Sequence, residues 1–259
     1  FKQKTAYEIP LRLVGSEMCI RDRIIPARLE STRLPNKPLA DINGEPMIAH
    51  VYKRAKEANI AKVIVAAGNV EIKEVIENIG GEAILTNPDH ASGSDRIYEA
   101  LNMYDKESKF DIIVNLQGDL PNIHKDALSK IISLLESNDA DISTLGVKIS
   151  SEEEFLNKNI VKAYVKNISE SNYVDDFDRR FDIGKEEFLY HHVGIYGYKR
   201  KALETFIGFD QSESEIERKL EQMRAIENGM KIVLGLIDEL PISVDTQEDL
   251  EIARRSMDL

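Results

Sequence analysis

From residue 45 to about residue 105 the chain alternates short β-branched runs with helix-period segments, and strand and helix signals continue to residue 147. That alternation limits the possible fold more than any other feature. "EPMIAHVYKRAKEAN" sets apolar residues at 47, 48, 51, 52 and 55, which is one face of a helix. "KVIVAA" (62–67) predicts a strand, and "VEIKEVIENIG" a helix closed by Gly80. "EAILT" (82–86) predicts a strand and "GSDRIYEALNMY" a helix. "DIIVNL" (111–116) has the continuous apolar character of a buried strand. "HKDALSKIISLLESN" follows as a helix and "DISTLGV" (141–147) as a strand. Repeated strand–helix–strand units build a mainly parallel sheet with helices on both faces. Ligands of such sheets bind at the carboxyl ends of the strands.

The pattern changes after residue 147. Residues 148–190 are polar and irregular, with "IVKAYVK" (160–166) as their clear strand. They read as an insertion into a single α/β domain, of the kind that serves as a substrate lid or dimer contact. "HVGIYGY" (192–198) predicts a strand, and "ESEIERKLEQMRAIENG" (213–229) one helix capped by Gly229. "KIVLGLI" (231–237) is the last strong strand. Thr246 with Asp249 three residues later forms a capping box at the start of a final helix.

Residues 1–23 do not fit this pattern. "FKQKTAYEIPLRLVGSEMCIRDR" has no clean period, and Arg21-Asp22-Arg23 adjoins Ile24-Ile25 where a buried strand would be apolar. "EMCIRD" resembles the translation of a transposon-end adapter used in preparing sequencing libraries. Residues 1–23 are therefore expected to be a non-native segment that packs poorly, with the domain running from 24 to 259. The expected first strand keeps only Ile24 and Ile25. Cys19, the single cysteine, falls in this segment; one cysteine excludes an intrachain disulfide and suits a reducing compartment, so a cytoplasmic location is expected.

The chain carries 46 acidic and 34 basic side chains, a formal net charge of −12. Such a balance argues against general nucleic-acid binding, which needs a basic surface. No apolar run approaches the length of a membrane span. Against this background "IIPARLESTRLPNKPLADINGEPMI" (24–48) stands out, with prolines at 26, 35, 38 and 46 and cations at Arg28, Arg33 and Lys37. Prolines stiffen the loop. Arginine forks and a lysine point charge suit phosphate oxygens. Neither a Walker A loop nor a dinucleotide-binding glycine fingerprint occurs. The competing reading is a solvated loop whose arginines pair with local acids.

The loop, followed in order by "SGSDR" (92–96), "VNLQGDLP" (114–121), "HHVGIYGY" (191–198), "LEQMRAIENG" (220–229) and "VDTQEDL" (244–250), resembles the 3-deoxy-manno-octulosonate (Kdo) cytidylyltransferases, also called CMP-Kdo synthetases. The resemblance covers residues 24 to 255. It implies a Rossmann-like nucleotide-diphosphosugar transferase fold: a mainly parallel mixed sheet flanked by helices, with an inserted lid or dimerisation segment. It also implies a homodimer that uses CTP, Kdo and Mg²⁺, makes CMP-Kdo and pyrophosphate, and serves lipopolysaccharide biosynthesis. Rival substrates are another acidic sugar, 8-amino-Kdo or a sialic acid. A rival of another class is an inactive nucleotide-binding homologue.

By resemblance, Arg28 and Lys37 hold the CTP phosphates, with Arg33 as a third contact. Asp119 and Asp245 form the metal pair, although an aspartate after a strand or before a helix is commonly a turn former or cap. Ser92, Asp95, Arg96 and Gln117 form the cytosine pocket; Ser92 and Asp95 equally suit a helix cap, and Arg96 a helix surface. His192, Tyr196, Glu221 and Gln222 take the sugar acid, the last two lying off the apolar stripe Ile216–Leu220–Met223 of their expected helix. Three departures stand out. Leu120 replaces a glutamate, Ala67-Gly68-Asn69 lacks the family's acid, and in "NYVDDFDRR" either Arg179 or Arg180 replaces the carboxylate-binding arginine.

Overall fold

The computed structural model describes residues 20–29, 33–59, 62–168, 171–180, 184 and 186–257. Eleven strands occur among them: β1 (Ile20–Ala27), β2 (Asp41–Ile42), β3 (Glu45–Pro46), β4 (Lys62–Ala67), β5 (Glu82–Leu85), β6 (Phe110–Asn115), β7 (Ile142–Lys148), β8 (Lys162–Tyr164), β9 (Asp176–Asp178), β10 (Leu189–Lys199) and β11 (Ile232–Leu236). The main sheet runs β11-β7-β10-β6-β1-β4-β5. β1 is parallel to β4 and β6, β4 to β5, and β11 to β7. β10 is the one strand of that row that runs antiparallel to its neighbours. The sheet is thus mixed and mostly parallel, as the repeated units predict.

Helices α1 (Met47–Glu57), α2 (Val70–Asn78), α3 (Gly93–Tyr104), α4 (Lys125–Ser137) and α6 (Arg200–Ile207) pack on the two faces. Ile25, Val65, Val114 and Ile195 meet α1, α2 and α4 in one apolar layer. Ile24, Ala66, Ile113 and Tyr198 meet α3 and α6 in the other. Alternate residues of each strand therefore feed opposite layers. α2 ends where Gly80 supplies a positive φ of 73°, and the Gly80 and Gly81 amides close on the last turn.

Two expectations are corrected. β1 begins at Ile20, not Ile24: the backbone of residues 20–23 pairs with both β4 and β6 in the centre of the sheet. Pairing is made by the main chain, so charged residues can occupy the ladder. Residues 1–19 lie outside the described residues. The single helix expected at 213–229 is two, α7 (Glu213–Arg218) and α8 (Met223–Glu227). Lys219 adopts a left-handed backbone (φ 55°) and ends α7.

The insertion is also more tightly integrated than its composition suggests. It holds α5 (Glu152–Leu156) and the β8–β9 ribbon, with β8 paired to β10. The Val174 amide donates to the Ile232 carbonyl, and the Leu234 amide to that of Asn172, so the insertion also grips β11. No helix among the described residues is long and apolar enough to cross a membrane.

A small third cluster joins two segments far apart in sequence. Leu34, Ile42, Met47, Val244, Leu250 and Ala253 pack together. They join the proline-rich loop to α9 (Gln247–Ser256).

Candidate active site

The carboxyl ends of β1 and β6 open into a cavity of about 380 Å³. Its lining includes Arg28, Arg33, Lys37, Ser92, Arg96, Gln117, Asp119 and Asp245. Eight residues singled out in the sequence thus share one space, with four cations against two carboxylates. In a chain of net charge −12 this is a local focus of positive charge.

Each side chain is placed by a definite local cause. Asp119 lies in the turn after β6. Asp245 stands nine residues beyond β11 and is carried back by two contacts: Val244 is fully buried, and its amide donates to the Asp119 carbonyl at 3.0 Å. Thr246, not Asp245, is the N-cap of α9, and Asp249 completes the capping box. The Asp245 carboxylate is therefore free for other work. Lys37 Nζ donates to Asp119 Oδ2 at 2.8 Å and to Asp245 Oδ1 at 2.9 Å. Arg33 pairs with Asp245 Oδ2 at 2.9 Å. Burial alone would lower the Lys37 pKa, but Asp119 and Asp245 overcome it and hold the ammonium above its ordinary value. Burial likewise opposes the Asp245 charge, yet Lys37 and Arg33 keep that carboxyl below its usual range. Arg28 Nη1 donates to the His90 carbonyl at 3.3 Å.

Ser92 is the N-cap of α3: it accepts from the Asp95 amide and donates to Asp95 Oδ2 at 2.7 Å. Asp95 serves this cap and does not line the cavity. Arg96 is not on the helix surface. It is 2% exposed and donates to Thr86 Oγ1 and to the carbonyls of Asn87 and Pro88 at 2.7–3.0 Å. A Cβ at Gly68 would stand 2.6 Å from Arg96 Nη1, so the guanidinium fills the space a side chain would need. Asn69 instead accepts from the Leu29 amide at 3.0 Å and steadies the loop. Gln117 donates to Asn115 Oδ1 at 2.8 Å. Leu120 packs into the core, a position an ionised glutamate would not favour.

His192, Tyr196, Glu221 and Gln222 do not line that cavity. They sit beside it on β10 and in the break between α7 and α8. His192 is T-stacked on Phe177 (4.9 Å between centroids) and lies 5.5 Å from the Tyr196 ring. Burial pushes the His192 pKa down to about 3, so the ring is neutral. Thr144 Oγ1 lies 2.9 Å from His192 Nε2 and 2.8 Å from the Ile195 carbonyl. The one hydroxyl proton goes to that carbonyl, leaving Nε2–H to donate to Thr144. Burial raises Tyr196 well above its ordinary pKa.

Glu221 and Gln222 are not on a solvated helix face. Gln222 is buried, while Ile216 of the supposed apolar stripe is 62% exposed. Burial raises the Glu221 pKa, the facing Ser92 and Ser94 hydroxyls pull the other way, and Oε1 is left without a hydrogen-bond partner. Ser92 thus links the two groups of residues. Sequence reasoning missed Thr144, Phe177 and the buried pair Glu215–Arg224, which clamps α7 to α8 by bonds of 2.8 and 2.6 Å. Only the Ser212–Glu215 capping-box spacing hinted at one of them.

Residues 23–232 match the cytidylyltransferase family model. The 3-deoxy-manno-octulosonate cytidylyltransferase of Paramagnetospirillum magneticum is 44% identical over 236 residues, covering 89% of this chain and 95% of the relative. That of Brucella suis is 48% identical over 233 residues, covering 89% and 93%. The solved structure of CMP:2-keto-3-deoxy-manno-octonic acid synthetase complexed with CTP aligns with a TM-score of 0.83 at 34% identity, over 92% of this chain and 98% of that one. A 4-diphosphocytidyl-2C-methyl-D-erythritol synthase from Anaerococcus prevotii shares the fold at 13% identity, with a TM-score of 0.64 over 93% and 99%. Cations gathered at the strand ends, a mixed sheet of matching topology and relatives near half identity agree: the chain belongs to the cytidylyltransferase family, among the 3-deoxy-manno-octulosonate cytidylyltransferases.

Proposed function

We propose that the chain transfers CMP from CTP to the anomeric 2-hydroxyl of 3-deoxy-D-manno-octulosonate. The observation that carries this reading is the convergence of Arg28, Arg33, Lys37, Asp119 and Asp245 on one cavity, in a chain related to a synthetase complexed with CTP. The sugar oxygen attacks the α-phosphorus, the bond to the β,γ-diphosphate breaks, and pyrophosphate leaves. The protein's part is alignment and charge stabilisation. Arg28, Arg33 and Lys37 face the charge that grows on the departing pyrophosphate.

Mg²⁺ fits the carboxylates present. Asp119 and Asp245 are hard oxygen donors that both reach a single cation position, the one where Lys37 Nζ stands. Among the described residues there is no group of three or more potential metal-binding side chains. Mg²⁺ needs no more than one or two carboxylates when waters and substrate phosphates complete its shell. Bound there, it would neutralise phosphate charge and ease ionisation of the sugar hydroxyl.

The sugar acid is read onto His192, Tyr196, Glu221 and Gln222. Of the two candidate arginines, Arg179 is half-buried and donates to the Arg218 carbonyl at 2.6 Å, next to the α7–α8 break, whereas Arg180 is exposed. Two residues before Arg179, Phe177 stacks on His192. Arg179 is thus the carboxylate partner of choice: Arg179→Ala should raise the sugar KM, and Arg180→Ala should leave it unchanged. A homodimer and a cytoplasmic location complete the reading; sedimentation showing a monomer at micromolar concentration would count against the first.

Pyrophosphate release with CTP and Mg²⁺ tests the whole. Kdo should be the best acceptor of a panel including 8-amino-Kdo and a sialic acid. Release with another sugar alone would reassign the substrate, and CTP binding without release would favour an inactive homologue.

A further inference from the structure

Lys37 has two demands on one ammonium group. As a phosphate ligand it must face the nucleotide. In the structure its Nζ instead bridges Asp119 Oδ2 (2.8 Å) and Asp245 Oδ1 (2.9 Å). The point where both carboxylates converge is also where a divalent cation held by the pair would have to stand. An ammonium and a divalent cation cannot share that point.

The surroundings make the lysine, and not the carboxylates, the part that moves. Asp119 and Asp245 are tied together through the main chain by the Val244 amide. Arg33, whose side chain is 62% exposed, holds Asp245 by its other oxygen and does not need to leave. Lys37 carries a compact charge on a flexible four-carbon stem.

We propose that Lys37 is an exchangeable counter-ion: it fills the cation position between Asp119 and Asp245 in the nucleotide-free protein and moves to the phosphates when the nucleotide brings a divalent cation in. The proposal rests on the assignment of Asp119 and Asp245 as the metal pair. It explains why a phosphate-binding lysine lies against two carboxylates. A bare divalent ion must displace the ammonium without offering it another partner. A nucleotide-bound ion offers phosphate oxygens in exchange. The site thereby favours the metal–nucleotide complex over either component.

The test is equilibrium binding on the full chain, using Mn²⁺ as probe and the electron paramagnetic resonance signal of the free ion as readout. Without nucleotide, Lys37→Met should bind Mn²⁺ about tenfold or more tightly than wild type, because a unit charge close to the ion is gone. Lys37→Arg keeps the charge and should stay near wild type. With Mn²⁺ saturating, Lys37→Met should bind CTP about tenfold more weakly, from loss of a charge-assisted phosphate contact. The two effects of one substitution have opposite signs, which a merely structural lysine would not produce. Thermal unfolding confirms that each variant is folded, and Asp119→Asn serves as the control for the metal assignment. If Asp119→Asn loses Mn²⁺ but Lys37→Met binds it no better than wild type, the exchange is overturned and the metal pair stands. If all variants bind Mn²⁺ alike, the metal assignment falls and the exchange with it.

Discussion

Two ion-pair clusters in this protein use the same groups under opposite conditions. Glu215 and Arg224 are sealed, each with 6% side-chain exposure, joined by two short bonds and covered by Phe206 at 4.9 Å from the guanidinium. Lys37, Arg33, Asp119 and Asp245 share an open cavity, with Asp245 at 35% exposure. Around the sealed pair the Gln211 side-chain amide and the Ser212 main-chain amide also donate to Glu215, but no second cation among the described residues touches it, so breaking the pair leaves a carboxylate without its counter-charge in low dielectric. In the open cluster water, phosphate or metal can replace any partner. The sealed pair therefore shapes the α7–α8 break that carries Glu221 and Gln222, and the open cluster is available for chemistry.

The largest test of that contrast is Arg224→Met. It should cost about 3–5 kcal/mol of stability by leaving the Glu215 carboxylate without its counter-charge, and the measurement is urea denaturation. A cost below about 1 kcal/mol would show that water reaches the pair and that the two clusters are alike. Next come Asp119→Asn and Asp245→Asn. Turnover at saturating CTP and Kdo should fall at least about a hundredfold, about 2.7 kcal/mol in barrier, with melting temperature little changed. Near-normal rates at ordinary Mg²⁺ would return both aspartates to structural duty.

His192 sharpens the sealed side of the comparison. Its folded pKa of about 3 lies below the unfolded value of about 6.5. The unfolded chain therefore binds the proton first, and stability is lost as pH falls from about 6.5 toward 3, at up to about 1.4 kcal/mol per pH unit. Above that window His192 has no effect. His192→Gln should flatten the slope in denaturation at pH 7, 6 and 5; an unchanged slope would mean the ring is not sealed. The smallest effect belongs to Arg33→Ala. Its exposed pair should contribute about 0–1 kcal/mol to stability, with a modest rise in the CTP KM as the kinetic sign.

The alternation of strand and helix signals was readable because each element obeys one period. The boundaries of α3 and the capping box of α9 follow directly from it. The sequence hides the start of β1 because residues 21–23 are charged, and main-chain pairing leaves no mark in composition. The α7–α8 break was invisible for the opposite reason: its residues keep a helical pattern, and only the left-handed backbone at Lys219, a residue with no special turn preference, interrupts it. At the site, identities were legible and relations were not. Lys37 suits phosphate and the two aspartates suit a metal, and nothing in the sequence shows that the first lies against the other two.

The contact between Lys37 and Asp245 spans 208 positions of sequence. Closing it depends on Val244, Leu250 and Ala253 docking onto Leu34 and Met47. A chain emerging from the ribosome can complete β1 through β10 with only one of the two aspartates in place. Catalytic competence should then arrive late, with the last helix. A protease that trims residues beyond Pro241 would remove Asp245 together with the α9 side of that cluster, so activity should report whether the carboxyl-terminal segment is present and seated.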